Sequence, residues 1–372
     1  MRALTLIAAL ALGSSPVPAP ATVVVEPAPA MPLQQDEVMA LPPGLREEVW
    51  RRVVAPDRSP DRRLQRLVDF VFGDEGLQLQ YDGTMTRTVA EVHRDRRGNC
   101  LSFALLFVAL AREAGLEAQV QEVGEVLAWY QDQGVIYNSG HVNTGVRTGG
   151  QWRVVEVDSN IIATRDRPRG IDDRRAMAHF HNNRGVERMA AGDLAAARAL
   201  LQAAMAAAPG FVPAWNNYGV LLTREGDWHG AERAYLRALA TDPGHTATLS
   251  NLVTLYERNA DPRRVVYARK LDRIRKSDPF HQFRLALQCE NEGDFDCAIN
   301  RYRRAIRLQS GQHQFHFGLA RAYLLHGDLA RAQRELDRAL ALGDTDPVRD
   351  TYRRKLEHLQ RWREQASSQA RH

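Results

Sequence analysis

The sequence predicts two folded parts in series, an α+β domain and then an all-α superhelix of helix pairs. Three observations predict this. A Gly-Asp or Ala-Asp pair recurs at Gly192-Asp193, Gly226-Asp227, Ala260-Asp261, Gly293-Asp294 and Gly327-Asp328, at intervals of 34, 34, 33 and 34 residues. Self-similarity at such a period marks stacked repeats. Upstream, Cys100 opens an almost wholly apolar stretch that stops at Gly115, and three strand-like segments follow it. The chain has 372 residues, room for two or three cores at roughly 100 to 200 residues per domain.

The N-terminus reads as a signal peptide over residues 1–21. Arg2 supplies the positive end, Ala3 to Leu12 form a ten-residue apolar run, and Ala19-Pro20-Ala21 offers a cleavage site. The run is short of the ~20 residues a membrane span needs, and no similar stretch recurs, so no stable membrane insertion is expected after signal removal. A periplasmic or secreted protein is the expectation; the competing one is a disordered N-terminus on a cytosolic protein. A Pro-rich linker, 22–35, leads into the first domain, 36–172. Fifty Lys and Arg against 45 Asp and Glu leave a net charge of only +5. The charges are mixed along the chain, which argues for a solvated surface and against a nucleic-acid partner.

Two amphipathic helices should open the first domain, one from about Leu45 to Val54. The other starts at Ser59 as N-cap with Pro60 at the first helical position. Asn99 is a good N-cap for the apolar helix that Cys100 begins. Strands are expected at about Ala118 to Val126, His141 to Arg147 and Gln151 to Val157. Thr148-Gly149-Gly150 forms a hairpin turn between the last two.

These residues resemble the transglutaminase-like superfamily, whose chemistry is shared with papain-type cysteine proteases. Gly98-Asn99-Cys100 at a helix start and Ala111-Arg112-Glu113-Ala114-Gly115 at its end match the family pattern. His141 opens one strand and Asp158 ends the next, 41 residues after the cysteine and 17 after the histidine. The resemblance implies a papain/transglutaminase-like fold and a Cys100, His141, Asp158 triad with no cofactor. Cys100 at a helix N-terminus lies at the positive end of the dipole, which favours a thiolate. His141 would exchange the proton and Asp158 would orient the ring. Gln78 and Tyr81 are candidates for a second oxyanion donor beside the Cys100 amide. The family usually places an apolar residue and then Trp after the histidine. Val142 and Asn143 stand here, which favours hydrolysis over cross-linking. Taken singly, each residue has a plainer account: a small buried thiol, a bonded strand histidine, a turn aspartate.

In the second half, small residues keep step with the Gly-Asp pairs at Ala197, Ala231, Ala298 and Ala332, and at Ala204, Ala238, Ala305 and Ala339. They let paired helices approach closely. The segment Trp215-Asn216-Asn217-Tyr218-Gly219 through Asp242-Pro243 resembles the tetratricopeptide repeat (TPR), and about five units should occupy 173–346. The third lacks the turn glycine and is expected to carry an insertion before Pro279. Ser310 and Asp344 replace the proline of later units. A capping helix and tail would fill 347–372.

The TPR resemblance implies a concave groove for a protein or peptide partner, lined by Asn182, Asn216, Ser250, Phe283 and Phe317. The alternative is that these side chains pack between repeats. Cys289 and Cys297, eight residues apart, are the natural disulfide pair in an oxidising compartment and leave Cys100 as the odd thiol. No metal site is expected: His179 and His181 have no cysteine or carboxylate at ligand spacing. Two functions are therefore carried forward. One is a cysteine hydrolase acting on a peptide or amide, with a recruiting array. The other is a non-catalytic scaffold built on a relic domain, as in bacterial chains that join these two modules and have lost the nucleophile.

Overall fold

The computed structural model describes residues 32–123, 126–128, 141–156, 161–164, 168–343 and 346–369. The proposed signal peptide, most of the linker and Asp158 lie outside them.

The chain enters through α1 (Gln35–Val38) and α2 (Pro43–Val49), which continues as one π-helical turn, Trp50–Val54, before α3 (Pro60–Phe72). Leu45, Val49 and Val53 recur every four residues and are fully buried, as an amphipathic stripe requires. The strand β1 (Gln80–Tyr81) lies parallel to β2 (Arg97–Gly98). Between them, α4 (Val89–Asp95) is closed at its start by a reciprocal Thr88–Glu91 capping box.

The helix α5 (Cys100–Glu113) is the axis of the domain, with every residue from Leu101 to Ala111 buried. A helix apolar on all sides must be wrapped on all sides. Helices α2, α3 and α4 flank it, and a sheet covers the rest. That sheet is antiparallel, in the order β6-β5-β3-β8, from β3 (Glu117–Val123), β5 (His141–Thr148), β6 (Gln151–Val155) and β8 (Arg169–Gly170). The short strands β4 (Val126–Ala128) and β7 (Ile161–Thr164) pair separately. Gly149 and Gly150 join β5 to β6 with φ of 57° and 78°, the left-handed pair that a two-residue hairpin turn demands.

Five antiparallel helix pairs follow. They are α6 (Asp173–Ala190) with α7 (Leu194–Ala207), α8 (Val212–Arg224) with α9 (Trp228–Thr241), α10 (Thr246–Arg258) with α11 (Arg264–Ser277), α12 (Pro279–Asn291) with α13 (Phe295–Leu308), and α14 (His313–Leu325) with α15 (Leu329–Leu342). The last helix, α16 (Asp346–Gln369), packs on α15. The recurring Gly-Asp pair has a mechanical cause. Gly192, Gly226, Gly293 and Gly327 take φ between 79° and 90°, and the next aspartate caps the second helix by accepting an N–H three residues on. The alanines that keep step with it are almost wholly buried, none above 2 % exposed. In the third pair Ala260 takes the left-handed turn at φ 51°, a conformation that costs a non-glycine residue about 1–2 kcal/mol. No insertion precedes Pro279. Instead α11 starts three residues after Asp261, and the connection to α12 contracts to Asp278 alone.

The first repeat helix belongs to both parts. Ala176, Met177 and Phe180 enter the core of the α+β domain, while a Cβ on Gly185 would come within 2.9 Å of Leu201 on α7. Also on α6, His181 is 5 % exposed and its Nδ1 has no hydrogen-bond partner. Burial, then the charge of Arg184, pushes its pKa down to about 4. A histidine depressed on folding adds stability above its unfolded value of 6.5, and that stability is lost as pH falls through about 4. Between pH 7 and 4.5 the loss is about 2–3 kcal/mol. Burial raises the nearby Glu187 carboxyl to about 7, and its protonation acts oppositely over the same range. A paired comparison isolates the histidine: by urea unfolding, His181→Leu should lose about 2–3 kcal/mol less than wild type over this interval. Equal losses would contradict the assignment.

Candidate active site

The cysteine's position follows from local sequence. Asn99 caps α5 by accepting the Ser102 N–H at 2.9 Å, which places Cys100 at the first helical position with its side chain half-buried. There the backbone N–H groups lack intrahelical partners and the dipole is positive. Gly98 is required just before it, since a Cβ there would meet the Ser102 Cβ at 2.9 Å.

His141 opens β5 opposite Val123 of β3 and is 6 % exposed. Its Nε2 lies 2.9 Å from Glu156 Oε2, and Cys100 is near enough to act on the ring's titration. Burial by itself would lower the pKa of His141. The interactions with Cys100 and with the Glu156 carboxylate outweigh burial and raise it to about 9. Glu156 Oε2 also accepts Asn143 Nδ2 at 3.3 Å, so one carboxylate oxygen gathers both side chains. Asn143 therefore has a task where the family pattern has Trp, although its own Oδ1, buried, has no partner.

Among the described residues Glu156 is the acid within hydrogen-bond reach of the His141 ring. Sequence reasoning missed Glu156. The signal for it was position, because Glu156 stands two residues before the Asp158 that family order implies. Of the oxyanion candidates, Gln78 turns away, donating to Asp74 O at 2.8 Å. Tyr81 pairs through its backbone with Gly98, two residues before the cysteine.

The family profile for the transglutaminase-like superfamily matches residues 47–157, which contain Cys100, His141 and Glu156. Two tetratricopeptide repeat profiles match 188–256 and 290–347. The chain is a transglutaminase-like domain fused to TPR repeats. No curated protein matches it. Among solved structures it is similar to YrrB, a TPR protein with an unusual peptide-binding site, at 16 % identity over 48 % of this chain and 92 % of that one, with a TM-score of 0.25. It is also similar to MamA from Desulfovibrio magneticus RS-1, at 14 % identity over 45 % and 97 % with a TM-score of 0.25. A further MamA structure, AMB-1, stands at 22 % over 46 % and 100 % with a TM-score of 0.24.

In the TPR array the expected groove residues divide. Asn182 and Asn216 are each 7 % exposed and join neighbouring repeats. Asn217 Nδ2 donates to Asn182 Oδ1 at 2.9 Å, and Asn251 Nδ2 to Asn216 Oδ1 at 3.0 Å. Phe283 is 3 % exposed, stacked on Phe315 and edge-on to Tyr302, so it packs between helices. Phe317 lies against Tyr352 of α16 at 5.2 Å, and Ser250 is half-buried. Cys289 and Cys297 are joined, sulfur to sulfur, at 2.08 Å across the turn between α12 and α13. His179 bonds Glu122 at 2.7 Å. Among the described residues no group of three or more His, Cys, Asp or Glu side chains is placed to hold a metal ion, and no helix is long and apolar enough to cross a membrane.

Proposed function

We propose that the transglutaminase-like domain is a cysteine-dependent acyl-transfer enzyme that hydrolyses a peptide or amide carbonyl, and that the TPR array recruits its protein or peptide partner. The pairing of His141 with Glu156 at 2.9 Å, beside a Cys100 that helps raise the ring's pKa, carries this reading. The Cys100 thiolate attacks the carbonyl carbon, and the helix-terminal amide faces the developing oxyanion. As the C–N bond breaks, protonated His141 gives its proton to the departing amine. A water molecule then loses a proton to His141 and attacks the thioester, releasing the acid and restoring the thiolate. Glu156 holds the ring in register and stabilises its charge. Asn143 in the place of the family's Trp supports water over an amine as acceptor. The apolar N-terminal run and the Cys289–Cys297 bond support a periplasmic or secreted location.

Alkylation of Cys100 by iodoacetamide against pH, read by mass spectrometry, tests the proposal. Wild type should label fast at pH 6, and His141→Ala should label about a hundredfold more slowly there, as a free thiol of pKa about 8.5 does. Slow labelling of wild type that ignores His141 would leave the scaffold function as the better account.

A further inference from the structure

The loop before α4 carries a polar network that no step above uses. Thr86, fully buried, is gripped from two sides. From α6, the first helix of the array, Arg184 Nη1 donates to Thr86 O at 2.8 Å and Glu187 Oε1 accepts Thr86 N–H at 2.7 Å. From the other side, Asn99 Nδ2 donates to the Thr86 hydroxyl at 2.7 Å. Asn99 is the cap of the Cys100 helix, and its Oδ1 accepts both Ser102 N–H and Ser102 Oγ–H at 2.9 Å. Ser102 Oγ in turn accepts Arg87 N–H at 2.8 Å, which closes the network on the residue after Thr86. Thr86, Arg87, Asn99, Ser102 and Arg184 are each at most 8 % exposed.

A hydroxyl has one proton and two acceptor lobes. Thr86 Oγ1 receives Asn99 Nδ2 in one lobe while Asn99 Oδ1 is taken by Ser102, so the orientation of each group dictates the next. Asn99 cannot rotate without stranding a buried donor, a loss of the kind proteins avoid. The first turn of α5, and with it the thiol at its head, is therefore held from the array side.

We infer that Arg184 and Glu187 of the first TPR helix are positioning residues for Cys100, acting through the Thr86–Asn99 cap. This rests on the proposed Cys100–His141 pair for its functional meaning, while the network itself does not. The cysteine's geometry is thereby tied to the seating of the array, and the isolated domain ending before α6 would lack half of its own nucleophile support.

The test uses the full chain and two readouts, Cys100 alkylation across pH and hydrogen exchange over residues 97–106. Thr86→Val keeps the volume and both backbone grips but cuts the hydroxyl relay. Arg184→Ala and Glu187→Ala each release one grip, and Thr86→Ser and Glu187→Gln keep the required atoms. Asp173→Asn is the control, because it breaks the ion pair to Arg112 at 2.8 Å, loosening α6 without touching Thr86. Thr86→Val and Arg184→Ala should speed exchange at the Ser102 amide roughly five- to tenfold, the equivalent of one buried hydrogen bond. They should slow alkylation at pH 6 by roughly tenfold, the order expected from a small misplacement of a reacting group. The conservative variants and Asp173→Asn should stay within about twofold of wild type. If the control reproduces both changes, or if Thr86→Val produces neither, the inference is wrong. Should wild-type Cys100 prove unreactive, the proposed enzyme fails instead, and exchange at Ser102 still decides the network.

Discussion

Glu156→Gln is expected to slow alkylation of Cys100 at pH 6 by about a hundredfold while leaving the fold intact. The carboxylate is one-third exposed, and its Oε2 lies 2.9 Å from His141 Nε2 and 3.3 Å from Asn143 Nδ2. Glutamine fills the same space and still offers a carbonyl to the ring N–H, so the loss reports charge rather than packing. Without the anion, the imidazolium between Cys100 and residue 156 is less favourable, and the high value of His141, about 9, should fall. The labelling profile should then move toward that of a free thiol. The same experiment on Asp158→Asn separates the two acids. A hundredfold loss in Glu156→Gln with Asp158→Asn near wild type assigns the ring partner to Glu156. The reverse pattern would return the role to Asp158, as family order implies.

How much of this was legible beforehand varies with the range of the cause. The helix pairs were readable because each turn is set within four residues, by a left-handed glycine and a capping aspartate. Cys100 and His141 were candidates through a motif and a spacing. Glu156 was not, because only the fold brings its carboxylate to the ring, 2.9 Å from His141 Nε2. The Asn ladder and Phe283 were ambiguous for a related reason, since a residue on the inner face of a repeat touches either a neighbour or a ligand. The grip on Thr86 left no trace in the sequence. Two of its bonds reach backbone atoms, which carry no residue code, and its partners stand about 100 positions away.

The second large effect lies at the opposite end of the molecule. Phe283→Ala is expected to cost about 3–5 kcal/mol of stability, measured by urea unfolding. The ring is 3 % exposed, 5.1 Å from Phe315 and 5.3 Å from Tyr302, and a Cβ on Gly318 would come within 3.1 Å of it. It therefore locks α12 to α13 and α14 at once, and truncation leaves a cavity that three helices share. Stacked repeats are stabilised mainly by nearest neighbours. The damage should therefore stay local, with faster hydrogen exchange across α12 to α15 and alkylation of Cys100 unchanged within about twofold. A groove contact would behave in the opposite way, weakening partner binding with a stability change of no more than about 0.5 kcal/mol. If Phe283→Ala unfolds at the wild-type urea concentration, the ring is available to a ligand and the interrepeat assignment fails. If the midpoint drops as expected, recognition by the fourth and fifth repeats must fall to side chains other than Phe283.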